Sequence, residues 1–380
     1  MKKVAVLMAM DISVKGQVFT PDWVVEYMVS LIRNDGFILE PSCGDGAFLY
    51  YLPKDRVTAI EKEEGLCQLE HLNIDFFDYR ETKIIKTIIG NPPYVRYQDI
   101  LADTKHKLDH SIFDKRSNLY LFFISRCVDI LDIGGELIFV TPRDFLKQTS
   151  AKRLNKKLFE LGGFTHFNDF GDNLLFKGVS PNCAIWRWQK GRQNSQLDNG
   201  GYMSASDGQI VFVNEADAKR LSGMFDVKVG AVSGADHIFE QEENKKSTDF
   251  VCSRTYKEGI LRKMLYNTYD RSLTKHKNEL LSRKIRAFDD SNWWQWGRKY
   301  PHKEGERIYV NCKTRYDKPF YVSDVPAYDG SILALFPKVG ANVHELCNSL
   351  NDVDWNSLGF KCGGRYLFSQ RTLEGISVNL

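Results

Sequence analysis

Two hydrophobic patterns alternate along the first half of this chain of 380 residues. Apolar runs of about four to eight residues are typical of buried strands, whereas apolar residues repeated every three or four positions are typical of amphipathic helices. Strands are predicted at 36–40, 56–61, 84–90, 134–142, 164–170 and 182–189, and helices at 20–32, 119–131 and 143–161. Because helices separate the strands, we predict an α/β fold with a doubly wound, mostly parallel sheet and helices on both faces.

The first helix has a recognisable start. Thr20 is predicted as its N-cap residue, because a threonine hydroxyl can accept a hydrogen bond from a free backbone amide of the first turn. Pro21 is predicted as the first helical residue, where its missing N–H has no consequence. The helix therefore starts at residues 20–21 in this prediction.

The second half of the chain has a different pattern. Residues 189–201 are polar and rich in Gly and Asn, as in a surface loop, and after Asp226 the apolar alternation becomes irregular. We therefore predict two domains, an α/β domain at residues 1–222 and a smaller α+β domain at residues 223–380.

Bulk composition excludes several classes of protein. The chain is 43% hydrophobic and 27% charged, as expected for a soluble globular protein. No apolar run approaches the roughly 20 residues that cross a bilayer, so we expect a cytoplasmic protein without a membrane partner. The eight cysteines include no C-x-x-C pair, so neither a zinc site nor a disulfide framework is expected.

Polar side chains stand where the predicted strands end. Glu40, Glu61, Asp75 and Asn91 all lie at or just after such an end. In doubly wound sheets, ligands bind beyond the carboxyl ends of the strands. These four side chains are therefore candidates for one shared site.

The turn after the first strand, EPSCGDG at residues 40–46, contains two glycines. Gly44 and Gly46 allow a tight turn and a close approach of the backbone to a ligand. The turn is not G-x-G-x-x-G and lacks a Walker lysine, so a pyrophosphate or a nucleoside triphosphate is poorly supported.

The next two strand ends suggest which ligand binds. Glu61 stands where doubly wound folds hold a carboxylate against ribose hydroxyls. Asp75 and Phe76 offer an acceptor for an exocyclic amine beside a ring that can stack. A ribose, an adenine and a charged tail without phosphate fit S-adenosyl-L-methionine better than NAD.

The segment Asn91–Tyr94, with the sequence N-P-P-Y, ends a strand with two residues that have no backbone N–H. The side-chain carbonyl of Asn91 and the backbone carbonyl of Pro92 can present two fixed acceptors to one –NH2 group. Holding both N–H bonds favours the pyramidal nitrogen that attacks a methyl sulfonium, without a covalent intermediate and without a metal ion. Tyr94 supplies a ring that can stack on a flat base.

In their order and spacing, these motifs resemble the DNA adenine-N6 methyltransferases of restriction–modification systems with the gamma-type motif order. The matching segments are FTP (19–21), EPSCGDGAF (40–48), AIE (59–61), IDFF (74–77) and GNPPY (90–94). Later segments that look like the family's later blocks are SNLYLFF (117–123), GGELIFVTPRDFL (134–146), NLLFKGVSPNCAIWRW (173–188), KVGAVSGADHIF (228–239) and GGRYLFSQRTLEGI (363–376). The resemblance implies a Rossmann-like catalytic domain followed by a DNA-recognition domain.

The resemblance also implies which residues surround S-adenosyl-L-methionine: Thr20, Glu40, Ser42, Gly44, Gly46, Glu61, Asp75, Phe76 and Asn91. Thr20 and the turn from Glu40 to Gly46 would hold its methionine part. Glu61 would bind the ribose hydroxyls. Asp75 would accept from the adenine amine, with Phe76 against that ring.

Four residues are implied to act on a target adenine in duplex DNA. Asn91 and Pro92 would hold its amine, Tyr94 would stack on the base, and Phe176 would close the other side. The base must first rotate out of the duplex, at a cost of a few kcal/mol that this stacking offsets.

The second domain contains a basic region. Residues 251–318 include 17 Lys or Arg and 8 Asp or Glu, although the net charge of the whole chain is only +3. The segment 292–302 places three tryptophans beside Arg298 and Lys299. Tryptophans of this kind are also common in a core, but the excess charge as a whole favours phosphate contacts and thus duplex DNA as the partner.

Two other functions are compatible with the motifs. N-P-P-Y also occurs in methyltransferases of ribosomal RNA and of a glutamine side chain, and the basic second domain favours DNA over these substrates. The second alternative is a DNA-binding subunit without catalysis, against which the intact Glu61 and Asn91–Tyr94 count. We find no nuclease motif, so a cognate restriction endonuclease, if one exists, is expected to be a separate chain.

Overall fold

The chain divides into two compact units, residues 1–217 and 218–380. The computed structural model describes residues 19–170, 182–194, 196–198, 200–206, 208–213, 219–301, 303, 305–338, 342–362 and 364–380. The division lies five residues before the predicted boundary at residue 222. Among the helices of the described ranges, none has the length and apolar character that crossing a membrane requires.

The first unit is an α/β domain. Its strands are β1 (Phe37–Glu40), β2 (Val57–Ala59), β3 (Ile85–Gly90), β4 (Leu131–Pro142), β5 (Gly162–Asp169), β6 (Cys183–Lys190), β7 (Tyr202–Ser206) and β8 (Gln209–Val213). Its α-helices are α1 (Asp22–Ser30), α2 (Ala102–Lys105), α3 (Leu119–Ile130) and α4 (Lys152–Leu161). Short 3-10 helices cover Ala47–Tyr50, Phe76–Asp78, Tyr97–Asp99, Arg143–Leu146 and Thr149–Ala151.

Six strands form one sheet in the order β2-β1-β3-β4-β6-β5, and β7 pairs with β8 in a separate hairpin. The pairs β1–β2, β1–β3 and β3–β4 are parallel, whereas β6 is antiparallel to both of its neighbours. The sheet is therefore mostly parallel, and the carboxyl ends of β1, β2 and β3 lie at the same edge.

Alternate residues of these strands enter two separate cores. Ile38 packs with α1 on one face, whereas Leu39 packs with α3 and α4 on the other face. Ile88 and Ile89 divide between the two cores in the same way. Because side chains of a strand point to opposite faces in turn, burial on both sides requires the unbroken apolar runs seen in the sequence.

Two predicted helix details are wrong. Pro21 has φ −60° and ψ 144°, so it is the extended N-cap residue and Asp22 is the first helical residue. Thr20 therefore lies one residue before the cap, and its hydroxyl is available for another partner. The predicted helix at 143–161 is helical only from Lys152, because two short 3-10 helices precede it.

The second unit consists of small sheets and short helices. Its strands are β9 (Lys219–Arg220), β10 (Phe225–Val229), β11 (Thr248–Val251), β12 (Arg262–Met264), β13 (Ile308–Asn311), β14 (Lys313–Thr314), β15 (Phe320–Val322), β16 (Ala327–Tyr328), β17 (Ile332–Pro337), β18 (Lys361–Cys362), β19 (Arg365–Leu367) and β20 (Ser377–Val378). Its helices are α5 (Leu221–Met224), α6 (Asp236–Phe239), α7 (Thr255–Glu258), α8 (Lys277–Leu281), α9 (Val343–Asp352) and α10 (Gln370–Gly375), with a 3-10 helix at Arg271–His276. The sheets run β10-β17-β13-β15, β12-β11-β16, β14-β19-β18 and β20-β9.

Two of the three tryptophans in the basic region belong to the core of this unit. Trp293 and Trp296 are 6% and 1% exposed, and the Trp296 indole N–H donates to the carbonyl of Leu265 at 2.8 Å. They are therefore structural residues, and only Trp294 of the three is partly exposed.

Candidate cofactor and amine-binding site

A cavity of about 500 Å³ lies in the first unit, where β1, β2 and β3 end. Eight of the nine predicted cofactor residues line it: Thr20, Glu40, Ser42, Gly44, Glu61, Asp75, Phe76 and Asn91. Its volume lies within the range of about 300–1,000 Å³ that is common for cofactor sites. The parallel sheet brings several of these residues together because Glu40, Glu61 and Asn91 lie at or just after strand ends at the same edge.

Gly46 is the ninth predicted cofactor residue, and it shapes the turn without lining the cavity. Its φ of +86° is unfavourable for residues with a side chain, and its amide donates to the Cys43 carbonyl at 2.8 Å. A Cβ atom at Gly46 would also lie 3.1 Å from the Cys67 sulfur. The turn therefore requires glycine at this position.

Glu40 is the most unusual acid of the cavity. Its side chain is 1% exposed, and its Oε2 accepts no hydrogen bond from the described residues. Burial, and then the nearby Asp45 and Glu61, raise the pKa of Glu40 well above its ordinary value. A buried acceptor that faces the cavity without a donor matches the ammonium group of the methionine part of S-adenosyl-L-methionine.

The Glu61 carboxylate stabilises the glycine turn by accepting hydrogen bonds from backbone amides. One carboxylate oxygen accepts from the backbone amide of Gly44 at 2.9 Å, and the other accepts from that of Glu63 at 2.8 Å. Since each carboxylate oxygen has a second lone pair, the group can still accept from two neighbouring hydroxyls. This geometry fits the two hydroxyls of a ribose.

Asp75 is held by several donors. Its oxygens accept from the Phe77 amide at 3.0 Å, from the Thr104 hydroxyl at 2.6 Å and from Lys62 Nζ at 3.2 Å. Burial acts to raise the pKa of Asp75, but these hydrogen bonds outweigh it and keep the pKa below its ordinary value. The carboxylate therefore stays ionised and fixed in direction.

Lys62 and Thr104 are functional candidates that the sequence did not reveal. Lys62 Nζ also donates to Asp103 at 2.6 Å and to Thr104 at 2.7 Å, which ties the short helix α2 to the end of β2. Both residues line the cavity. Lys62 could have been predicted as a site residue because it directly follows Glu61, whereas no sequence feature indicated Thr104.

Asn91 has a defined side-chain orientation. Its Nδ2 donates to the hydroxyl of Thr20 at 3.2 Å, and the Ser42 hydroxyl donates to its backbone carbonyl at 3.3 Å. The amide nitrogen therefore points to Thr20, and its side-chain carbonyl points elsewhere. Thr20, which does not cap α1, is the residue that fixes this orientation.

Two of the other predicted catalytic residues, Pro92 and Tyr94, do not line the cavity. Pro92 is buried directly after Asn91. The half-buried Tyr94 donates its hydroxyl to the Val140 carbonyl at 2.8 Å, and its ring meets that of Tyr120 edge to face at 5.9 Å. Phe176 lies outside the described residues. The roles of all three on a target base stay predictions.

Comparison with known proteins shows what the centre of the first unit is similar to. Residues 50–176 match the family model described as Eco57I restriction-modification methylase. The Type II methyltransferase M.HincII of Haemophilus influenzae is 34% identical over 197 residues, which are 48% of this chain and 38% of that protein. The Type II methyltransferase M.TthHB8I of Thermus thermophilus is 30% identical over 202 residues, 48% of this chain and 46% of that protein. The chain thus spans less than half the length of each of these relatives.

A solved structure shares the fold. The Type IIL restriction-modification enzyme MmeI in complex with DNA matches with a TM-score of 0.57 and 12% identity, over 92% of this chain and 62% of that chain. At this identity, the likeness concerns the fold alone. The predicted mostly parallel α/β fold is confirmed, as is the resemblance of residues 50–176 to restriction–modification methylases. A match to a methylase supports S-adenosyl-L-methionine as the predicted cofactor.

Proposed function

We propose that this chain transfers a methyl group from S-adenosyl-L-methionine to the N6 amine of an adenine that has rotated out of duplex DNA. The observation that carries the proposal is the oriented amide of Asn91, which borders the same cavity as Glu40, Glu61 and Asp75. A methyl donor in this cavity would lie next to an amine held by Asn91 and Pro92. The family match at residues 50–176 supports the same chemistry.

The chain binds the donor through its acids. Glu40 accepts from the ammonium group, Glu61 from the ribose hydroxyls, and Asp75 from the adenine amine. S-adenosyl-L-methionine supplies a methyl group on a positively charged sulfur, which leaves with the electron pair of the carbon–sulfur bond. The acids therefore fix the direction from which the methyl group is presented.

The chain prepares the acceptor with two carbonyl groups. Asn91 accepts one N–H of the adenine amine at its side-chain oxygen, because Thr20 already holds its amide nitrogen. The Pro92 carbonyl accepts the other N–H. Two bonds of this kind draw the nitrogen lone pair out of conjugation with the ring and direct it at the methyl group. Tyr94 and Phe176 stack on the two faces of the base.

In this role the chain would protect the DNA of its host cell within a restriction–modification system. Residues 223–380 would be the domain that recognises the DNA sequence. The matching relatives are Type II methyltransferases, and one similar protein is the Type II restriction enzyme and methyltransferase RM.Eco57I of Escherichia coli. Its nuclease and methyltransferase share one chain. A cognate restriction endonuclease on a separate chain is part of this proposal.

The decisive experiment measures transfer of labelled methyl from S-adenosyl-L-methionine to mixed-sequence duplex DNA, followed by nucleoside analysis. We expect N6-methyladenine at one short sequence, and Asn91→Ala should lower the rate by about a hundredfold or more. Asn356→Ala, which removes an exposed amide in the second unit, is the matched control and should keep the wild-type rate.

The other outcomes identify the alternatives. Label in ribosomal RNA or in a protein glutamine would keep the role of Asn91 and overturn DNA as the substrate. Cofactor binding without transfer to any of these substrates would indicate a DNA-binding subunit without catalysis.

A further inference from the structure

In the second unit, some cationic side chains form ion pairs with acids of the same unit, whereas others form none. Arg262 forms ion pairs with Asp236, Glu240 and Asp329 at 2.7–3.2 Å, so its charge is compensated inside the unit. Lys284 has neither an ion pair nor a hydrogen bond within the part of the chain that the structure describes. A basic stretch therefore does not by itself define a DNA contact, and the free cations must be located one by one.

One segment of the second unit is rich in cations and poor in acids. Residues 271–286 contain six Lys or Arg and a single acid, Glu279, which pairs with His237. Two acids follow the segment: Asp289 accepts from Ser291, and Asp290 pairs with Lys277 at 2.6 Å. Lys284 and Arg286 are exposed and form no ion pair with the described residues, although Arg286 donates to the side-chain carbonyl of Gln295 at 3.1 Å and lies 5.0 Å from the centre of the Phe288 ring.

An apolar residue stands between these two cations. Ile285 is 42% exposed, which is unusual for isoleucine because it leaves apolar surface in water. Its inner side packs against the backbone at Gly234 and Gly297, where an added Cβ atom would come within 2.5 and 2.7 Å of it. The glycines therefore support Ile285 from below and leave its outer side free.

Arg283 makes this turn rigid. Its guanidinium donates to the carbonyls of four residues in three segments, at 2.6–2.9 Å: Leu280, Ser233, Trp293 and Gln295. It also lies 3.9 Å above the ring of Phe288. A turn with its base fixed in this way loses little conformational entropy when it binds a partner.

We propose that the turn Lys284–Arg286 is a contact with duplex DNA in which Ile285 presses against a base step while the two cations hold the flanking phosphates. The proposal rests on DNA being the substrate. Proteins that deform DNA commonly use an apolar wedge of this kind, and phosphate contacts beside it fix its register. Charge favours this occupant, because a protein partner would have to supply two acids around an apolar pocket, whereas every DNA step presents phosphates on both sides of its bases.

The test measures binding of a fluorescein-labelled mixed-sequence duplex by anisotropy over a range of salt concentrations. Lys284→Gln and Arg286→Gln should each reduce the slope of log K against log salt by about 1. Ile285→Ala should weaken binding about tenfold without changing that slope, since it removes apolar contact and no charge. It should also reduce the fluorescence increase of a 2-aminopurine placed in the duplex, which reports unstacking.

Two exposed residues of the same unit provide matched controls. Lys257→Gln and Ile260→Ala, the latter at a residue 38% exposed, should bind as the wild type does. If the three variants at 284–286 bind like these controls while the wild type binds and methylates DNA, this proposal fails alone. If the wild type does not bind duplex DNA at all, the proposed function fails with it. Because all three side chains are exposed, unchanged melting curves are expected and verify that the variants are folded.

Discussion

Both units contain structural ion pairs, such as Arg187–Glu136 at 2.6 Å in the first unit, but the first unit also has a cluster of acids at a cavity. In the first unit, Glu40, Glu61 and Asp75 line a cavity and offer acceptors to a ligand. In the second unit, the partly buried guanidinium group of Arg262 and the buried one of Arg283 bind acids and carbonyls of their own chain. A long parallel sheet holds the first unit together and leaves its strand ends free for chemistry. Small sheets of two to four strands need polar links between their loops, so charge there has a structural task first.

The largest expected effect tests whether Arg283 has a structural role in the second unit. Arg283→Gln leaves several buried carbonyls without a donor and should lower the free energy of unfolding by about 3 kcal/mol. Burial, and then Arg286, lower the pKa of Arg283 to about 10, so the side chain that is lost still carries its charge near neutral pH. Calorimetry should show a clearly lower free energy of unfolding for Arg283→Gln and an unchanged one for Lys284→Gln, which alters an exposed neighbour. Equal melting of the two variants would contradict a structural role for Arg283.

The next largest effect concerns Glu40 at the ligand site and the pH dependence of stability that it causes. Its folded-state pKa is raised, so the folded protein holds a proton that the unfolded chain releases above about pH 4.3. The stabilisation is complete below that pH and is lost as the pH rises through the raised value. Glu40→Gln removes this dependence and should stabilise the protein without cofactor at pH 8 by about 1–3 kcal/mol. Denaturant titration of the wild type and of Glu40→Gln at pH 5 and at pH 8 measures the free energy of unfolding of each protein at each pH.

The same variant should bind the cofactor less well. A neutral amide replaces the carboxylate that accepts from the ammonium group, so we expect affinity for S-adenosyl-L-methionine to fall about tenfold or more at pH 8. Calorimetric titration should also show wild-type affinity decreasing as the pH is lowered, because Glu40 must lose its proton to bind a cation. Unchanged affinity in Glu40→Gln would exclude its proposed contact.

The smallest expected effect concerns Thr20, which acts through Asn91. Thr20→Val keeps the shape of the side chain and removes the oxygen that holds the Asn91 amide nitrogen. We expect kcat to fall about tenfold with little change in KM for DNA, and Thr20→Ser to restore it. A parallel fall in cofactor affinity would instead indicate that Thr20 acts mainly on the methionine part, as the family resemblance implies.

The sequence predicted the first unit in some detail and the second unit only in outline. Strands that are buried on both faces have continuous apolar runs, so the parallel β1 and β3 and the antiparallel β6 were visible as sequence segments. In the second unit, strands of two to six residues leave little periodicity to recognise. The predicted helix at 143–161 was too long because apolar spacing does not distinguish a 3-10 turn from an α-helical one.

By itself, the sequence determined which residues can meet at the ligand site. Strand ends of a parallel sheet share one edge, and Glu40, Glu61 and Asn91 lie at or just after such ends, with Asp75 in the connection between β2 and β3. Only the tertiary structure decided what each side chain does there: that Thr20 holds Asn91, that Lys62 joins Asp75 to α2, and that Arg283 serves its own unit. Hydrogen-bond partners far apart in the chain depend on how elements pack in three dimensions, and no local pattern of residues records that packing.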